Sequence, residues 1–250
     1  CRYSLAAGWL SNKPDTTGRI WTFMGSDDLF KKRKARANNA LARQLQQRAQ
    51  SPRCLIVCEG SKTEPHYLIE LREVWGIPHS WVSIKPSEGS SPDRVVQTAE
   101  KLYAEDAQMG DSFDQVFCVF DRDAHPTFSA AVQRTRELAA NGKPFKAITS
   151  TPCFEFWFLL HFGYSDAPFA KAGKKSVGDV VVSQFKTKAG MAQYGKAQRG
   201  LAAQLQGKLA AATQHAAKLR HSATKTQIQD PQIHANPWTN VDELVQHIVG

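Results

Sequence analysis

Three acidic residues stand where apolar runs stop. The run Val116–Phe120 ends in Asp121, with Asp123 one residue further on, and the run Cys54–Cys58 ends in Glu59. Alternate residues of an extended chain project to the same side. Asp121 and Asp123 therefore point together, and two carboxylates that close repel each other unless a cation lies between them. Hard oxygen donors of this kind suit Mg2+ or Mn2+. The competing reading of Asp121-Arg122-Asp123 is a polar strand end with turn-forming acids.

The elements around these acids alternate in type. Arg53–Cys58 reads as a first strand, and the run Val116–Phe120, apolar on both faces, as a central strand buried on both sides. Gly60 permits a tight turn, and Thr63 is a helix cap for the segment carrying Tyr67, Leu71 and Val74 at helical spacing. Trp81–Lys85 reads as a second strand, Pro92–Met109 as a helix and Gln115–Phe120 as a third strand. A helix with Phe128, Val132, Thr135 and Ala139 on one face follows, closed by Asn141-Gly142. Phe145–Thr149 is the fourth strand. This alternation predicts an α/β fold, an open parallel sheet of about four strands in the Rossmann manner with helices on both faces. Working residues in such a sheet lie beyond the carboxyl ends of the strands. That places Glu59 and Asp121 in one crevice if their strands are neighbours.

Glu155 sits inside the very apolar helix Cys153–Phe162, where a carboxylate must be paired, protonated or metal-bound. A capping acid in the first turn is the alternative. Lys62 is either catalytic or a cover for the helix start. Glu64 reads as a first-turn acid, and Lys146, Tyr194 and Lys196 are polar residues without an assigned place. Further on, Arg199–Arg220 reads as one long helix. Its stripe of Leu205, Leu209, Ala212, Ala216 and Leu219 packs on the domain or on a second copy of the chain. His221–Pro237 reads as a polar linker and Thr239–Val249 as a final helix.

The net charge is +9, and Lys31, Lys32, Arg33, Lys34, Arg36, Arg43 and Arg48 supply seven positive charges without an intervening acid. This arm favours polyanions, nucleic acid above all; a solubilising tail is its other reading. The division expected is an extension over 1–23, a basic helical arm over 24–52, an α/β domain over 53–165 and a mainly helical extension over 166–250. The five cysteines contain no Cys-x-x-Cys pair, which leaves zinc without support. They read as buried thiols of a reducing cytoplasm. No apolar stretch reaches the ~20 residues that span a bilayer, so no membrane role is expected.

A strand ending in Glu-Gly, followed by an apolar strand ending in Asp-x-Asp, is similar to the Toprim domain of topoisomerases, bacterial primases and OLD nucleases. IVCEGSKTEPHYL, VFDRDAHPTF, TPCFEFWFLLHF and NPWTNVDELV together resemble the RloB family, which is tied to phage defence beside restriction–modification genes. The resemblance implies a Toprim-like fold and a nuclease using Mg2+ or Mn2+. It implies Glu59, Asp121 and Asp123 as metal ligands; beside them, Glu59, Lys62 and Glu155 are the candidate catalytic residues read from their positions. Nucleic acid would be held by Lys31, Lys32, Arg33, Lys34, Arg36 and His125. The partners implied are DNA or RNA, with an ATPase or a restriction–modification protein as a further candidate. A phosphomonoesterase and a non-catalytic nucleic-acid-binding partner are the alternative classes.

Overall fold

The computed structural model describes residues 33–34, 52–122 and 125–250. The chain divides into two compact units, Cys1–Gln50 and Ser51–Gly250. In the first, Arg33 and Lys34 are helical and exposed. Lys31, Lys32 and Arg36 of the arm lie outside the described residues, as does Asp123.

The second unit is α/β. Its strands are β1 (Cys54–Cys58), β2 (Val82–Pro86), β3 (Gln115–Asp121), β4 (Phe145–Thr151) and β5 (Trp238–Thr239). They form one sheet in the order β2-β1-β3-β4-β5. The first four are parallel and β5 runs antiparallel to β4. Between them run α1 (Thr63–Val74), α2 (Pro92–Gln108) and α3 (Phe128–Ala140). After β4 come α4 (Glu155–Leu160), α5 (Val177–Lys186), α6 (Leu201–Leu205), α7 (Leu209–Lys225), α8 (Pro231–His234) and α9 (Val241–Val249).

Side-chain alternation divides the core in two. Leu55, Val57, Val116, Cys118 and Phe120 meet α2 and α3 on one face. Ile56, Phe117, Val119 and Ile148 meet α1, α4 and the C-terminal helices on the other. Burial on both faces is why these strands read as unbroken apolar runs rather than alternating ones.

Several boundaries differ from the sequence reading. Trp81 precedes β2, and β4 runs on to Thr151. Thr63 does not cap α1: Lys62 holds the cap position, and the Thr63 hydroxyl donates to the Lys196 carbonyl at 2.8 Å instead. The apolar helix is shorter than expected, spanning Glu155–Leu160. The long C-terminal helix is broken by a 3-10 turn at Gln206–Lys208, where Gly207 weakens helix propensity. Its apolar stripe packs into the domain core, with Leu205, Ala212, Ala216 and Leu219 buried. The supposed linker holds the end of α7 and all of α8. The structure adds helix α5, whose Ser176–Asp179 capping box is a readable start signal.

The last strand is two residues long and was invisible to periodicity. Asn240 holds it in place. Its side chain accepts from the Thr149 N–H at 2.7 Å and donates to the Ala147 carbonyl at 3.0 Å, continuing the ladder of β4 where the backbone leaves it. Four of the cysteines (Cys54, Cys58, Cys118 and Cys153) are buried and free. Among the described residues, no helix is long and apolar enough to cross a membrane.

Candidate functional site

The sheet order reverses between β1 and β3. The chain leaves β1 towards β2 on one side, and leaves β3 towards β4 on the other. Such a switch point opens a crevice at the carboxyl ends of the two strands. The register sets Cys58 beside Val119 and Asp121 beside Ser150, so the ends of β1, β3 and β4 lie close together. Glu59 follows β1 directly, Asp121 closes β3, and Glu155 opens α4 just beyond β4.

Glu59 is locked onto the end of β3. Its N–H donates to the Val119 carbonyl at 2.9 Å, and its Oε2 accepts from the Asp121 N–H at 3.1 Å. The Nε2 of His125 lies 3.4 Å from the Glu59 Oε1. The turn after Glu59 must be tight: a Cβ on Gly60 would lie 2.6 Å from the Glu64 Oε2. Glycine leaves room there for the Glu64 carboxylate, which stands in the first turn of α1 over the crevice. The Asp121 Oδ2 accepts from the Phe154 N–H at 2.9 Å, and the Glu155 Oε1 accepts from the Tyr194 hydroxyl at 3.3 Å.

These groups surround a cavity of about 270 Å3, lined by Gly60, Ser61, Lys62, Thr63, Glu64, Asp121, Glu155 and Lys196. Its electrostatics follow from burial and crowding. Loss of solvation, then the charges of Glu64 and Glu155, hold the Asp121 carboxyl well above the usual carboxylate range. Burial, helped by Glu155 and Glu59, pushes Glu64 up to about 7. Lys196 has the complementary shift, raised first by Glu155 and further by Asp121 and Glu64.

Lys196 arrives from a distant part of the chain. Glu70 on α1 accepts from the N–H groups of Gly200 at 2.7 Å and Ala202 at 3.3 Å, which clamps the start of α6 to α1. The Thr63–Lys196 hydrogen bond completes the clamp. Tyr194 is thereby buried against Phe158 and Phe185, with its hydroxyl on Glu155.

The donor set fits a divalent cation chemically: buried carboxylates disfavoured in their charged form are relieved by a hard positive ion. Among the described residues, however, no three His, Cys, Asp or Glu side chains are arranged to hold a metal ion. Asp123, the expected third ligand, is outside those residues.

The structure thus brings Glu59, Asp121, Lys62 and Glu155 to one crevice and sets His125 on Glu59. Lys146 is elsewhere, near the start of β4 and 2.8 Å from a Glu243 carboxylate oxygen. Sequence reasoning passed over Glu64 as a first-turn acid; its spacing of five residues from Glu59 across Gly60 was the available signal. Tyr194 and Lys196 carried no local signal, because their place depends on the Glu70 clamp.

No curated protein and no solved structure matches this chain. The family model for RloB-like protein matches residues 54–248, so with that match spanning nearly the whole α/β unit, the chain belongs to the RloB-like family.

Proposed function

We propose that the protein is a metal-dependent nuclease that cleaves phosphodiesters of DNA or RNA in antiphage defence. The observation that carries this reading is the gathering of Glu59, Glu64, Asp121 and Glu155 at the switch point, with Lys196 beside them. Glu59, Asp121 and the neighbouring Asp123 would hold Mg2+ or Mn2+. A bound ion of this kind supplies charge neutralisation at the phosphodiester and lowers the pKa of water. Lys196 and Lys62 set positive charge on the cavity wall, where a pentacovalent phosphorus gathers negative charge. Glu155, oriented through its Oε1 by the Tyr194 hydroxyl, is the general base that takes a proton from water. His125, beside Glu59, donates to the bound strand. Nucleic acid as substrate follows from the net charge of +9 and its concentration in the arm. The Toprim-like nuclease chemistry and the link to an ATPase or restriction–modification partner rest on the family resemblance.

The seven cations of the arm favour a second reading, a non-catalytic nucleic-acid-binding partner in which the arm does the binding. The test is incubation of purified protein with single- and double-stranded DNA and RNA in Mg2+, Mn2+ or EDTA. Metal-dependent cleavage supports the nuclease. Binding without cleavage in either metal supports the second reading, and hydrolysis confined to phosphomonoesters overturns both.

A further inference from the structure

A second cleft lies beside the acidic cavity, on the other side of the loop that follows β4. Its volume is about 410 Å3, and its lining includes Arg122, Thr151, Phe169, Lys171, Ser176 and His234. Among the described residues that line it there is no acid. The contrast with the carboxylate cavity is direct, yet residues adjacent in the chain line the two. Arg122 follows Asp121 in the chain, and its N–H donates to the Ser150 carbonyl at 2.9 Å, while Ser150 is the register partner of Asp121. Thr151 and Pro152 line the basic cleft, and three residues later Glu155 lines the acidic one.

Two further features mark the cleft as a site for an anion. Thr151 is 3% exposed, and its hydroxyl is buried with no hydrogen-bond partner in the protein. Buried polar groups are satisfied in the great majority of cases, so an orphan on the wall of a cleft points to a partner supplied from outside. The cations are also set for binding outward rather than for internal pairing. Lys171 is exposed on the loop before α5, and among the described residues the Arg122 guanidinium makes one long bond, 3.4 Å to the Ala235 carbonyl. Asp179, the acid nearest the start of α5, is engaged with Ser176 in the capping box and does not line the cleft.

We infer that this cleft holds a phosphate group of the nucleic-acid strand next to the bond presented to the carboxylate cavity. Arg122 and Lys171 bind the non-bridging oxygens, and Thr151 donates the further hydrogen bond. The strand then runs across the loop 151–155, with one phosphate among cations and the next beside the acids. This rests on the nucleic-acid reading above. It needs no cleavage, and its test is made without metal.

The test is fluorescence anisotropy of a labelled single-stranded oligonucleotide in EDTA, over a range of salt, with the full chain and the variants Arg122→Gln, Lys171→Gln and the double variant. Losing one charge-assisted phosphate contact weakens binding roughly tenfold at low salt. Losing both lowers the slope of log K against log salt by about 1.4, at ~0.7 per contact on a single strand. Lys143→Gln, an equal charge change at the opposite end of the sheet, is the control and binds as the parent does. Lys171 is exposed, so its variant folds even where Arg122→Gln does not. Unchanged affinity and slope in Lys171→Gln and the double variant overturn the inference, as does an equal loss in Lys143→Gln, which would leave net charge alone at work. A third arm titrates adenosine 5′-monophosphate by calorimetry. Saturable binding of the mononucleotide that the variants lose, with oligonucleotide binding intact, also overturns it, because the anion is then a free nucleotide. A protein that cleaves nothing but shows the predicted slopes removes the nuclease reading and keeps the cleft.

Discussion

The Asp121 carboxylate accepts a hydrogen bond from the Phe154 backbone N–H at 2.9 Å, tying the end of β3 to the turn that starts α4. The bond orients a carboxylate whose charge the surroundings otherwise disfavour. It also makes a clean substitution available, because an asparagine oxygen can accept the same N–H.

Asp121→Asn therefore keeps the fold and loses the charge. Cleavage in Mg2+ or Mn2+ should fall by roughly 10²–10³, the scale of losing one preorganised electrostatic contact. The melting temperature in EDTA should be equal or higher, since a crowded buried charge has been removed. Full activity in the variant excludes Asp121 as an essential ligand. A sharp drop in melting temperature makes the Phe154 bond its main role.

Glu64 gives a pH dependence of definite sign. Its folded pKa is raised to about 7 from the ordinary 4.5, so between those values the folded state binds more protons than the unfolded one. Stability from this group therefore falls as pH rises through that window. His161 acts oppositely: burial lowers it to about 4, so acid destabilises the fold between about 4 and 6.5. The two are separated by comparison. In EDTA, Glu64→Gln should be stabilised relative to the parent near pH 7.5 and lose that advantage near pH 5, measured by urea denaturation at both. An advantage that does not change with pH would mean Glu64 stays ionised.

Lys196→Met separates charge compensation from metal binding. Removing the ammonium leaves the carboxylates more negative, so Mn2+ binding followed by calorimetry should be unchanged or tighter. The rate should nevertheless fall roughly a hundredfold if Lys196 stabilises the transition state. Weaker Mn2+ binding with a proportional loss of rate would point instead to collapse of the Thr63–Lys196 clamp.

Deleting 24–50 tests the arm. Its seven cations allow a salt slope of up to roughly six units if each reaches a duplex phosphate, at ~0.9 apiece. The truncated protein should bind duplex DNA more weakly and with a flatter salt dependence. A slope equal to that of the full chain would make the arm a solubilising tail.

The sequence by itself determined the sheet and the ends of its central strands. Cys54–Cys58 and Val116–Phe120 are buried on both faces, so composition alone marks them, and an acid marks where each run stops. Alternation of strand and helix left their adjacency open; the strand order places β1 beside β3, and there Glu59 and Asp121 meet at the switch point. Glu155 was legible too, as a lone carboxylate among aromatic residues. Tertiary structure decided the rest. Thr63 and Lys196 are 133 residues apart, and they meet because a carboxylate on α1, Glu70, captures the N–H groups that open α6. Nothing local to Lys196 announces this. Asn240 stands at the N-cap position of α9, yet its side chain bonds the backbone of β4, a role that exists once β4 lies beside it. Arg122 and Lys171 likewise become one cleft through folding. Periodicity reports which face of an element is buried, whereas a site built from chain-distant polar groups depends on hydrogen bonds that form after the elements have packed.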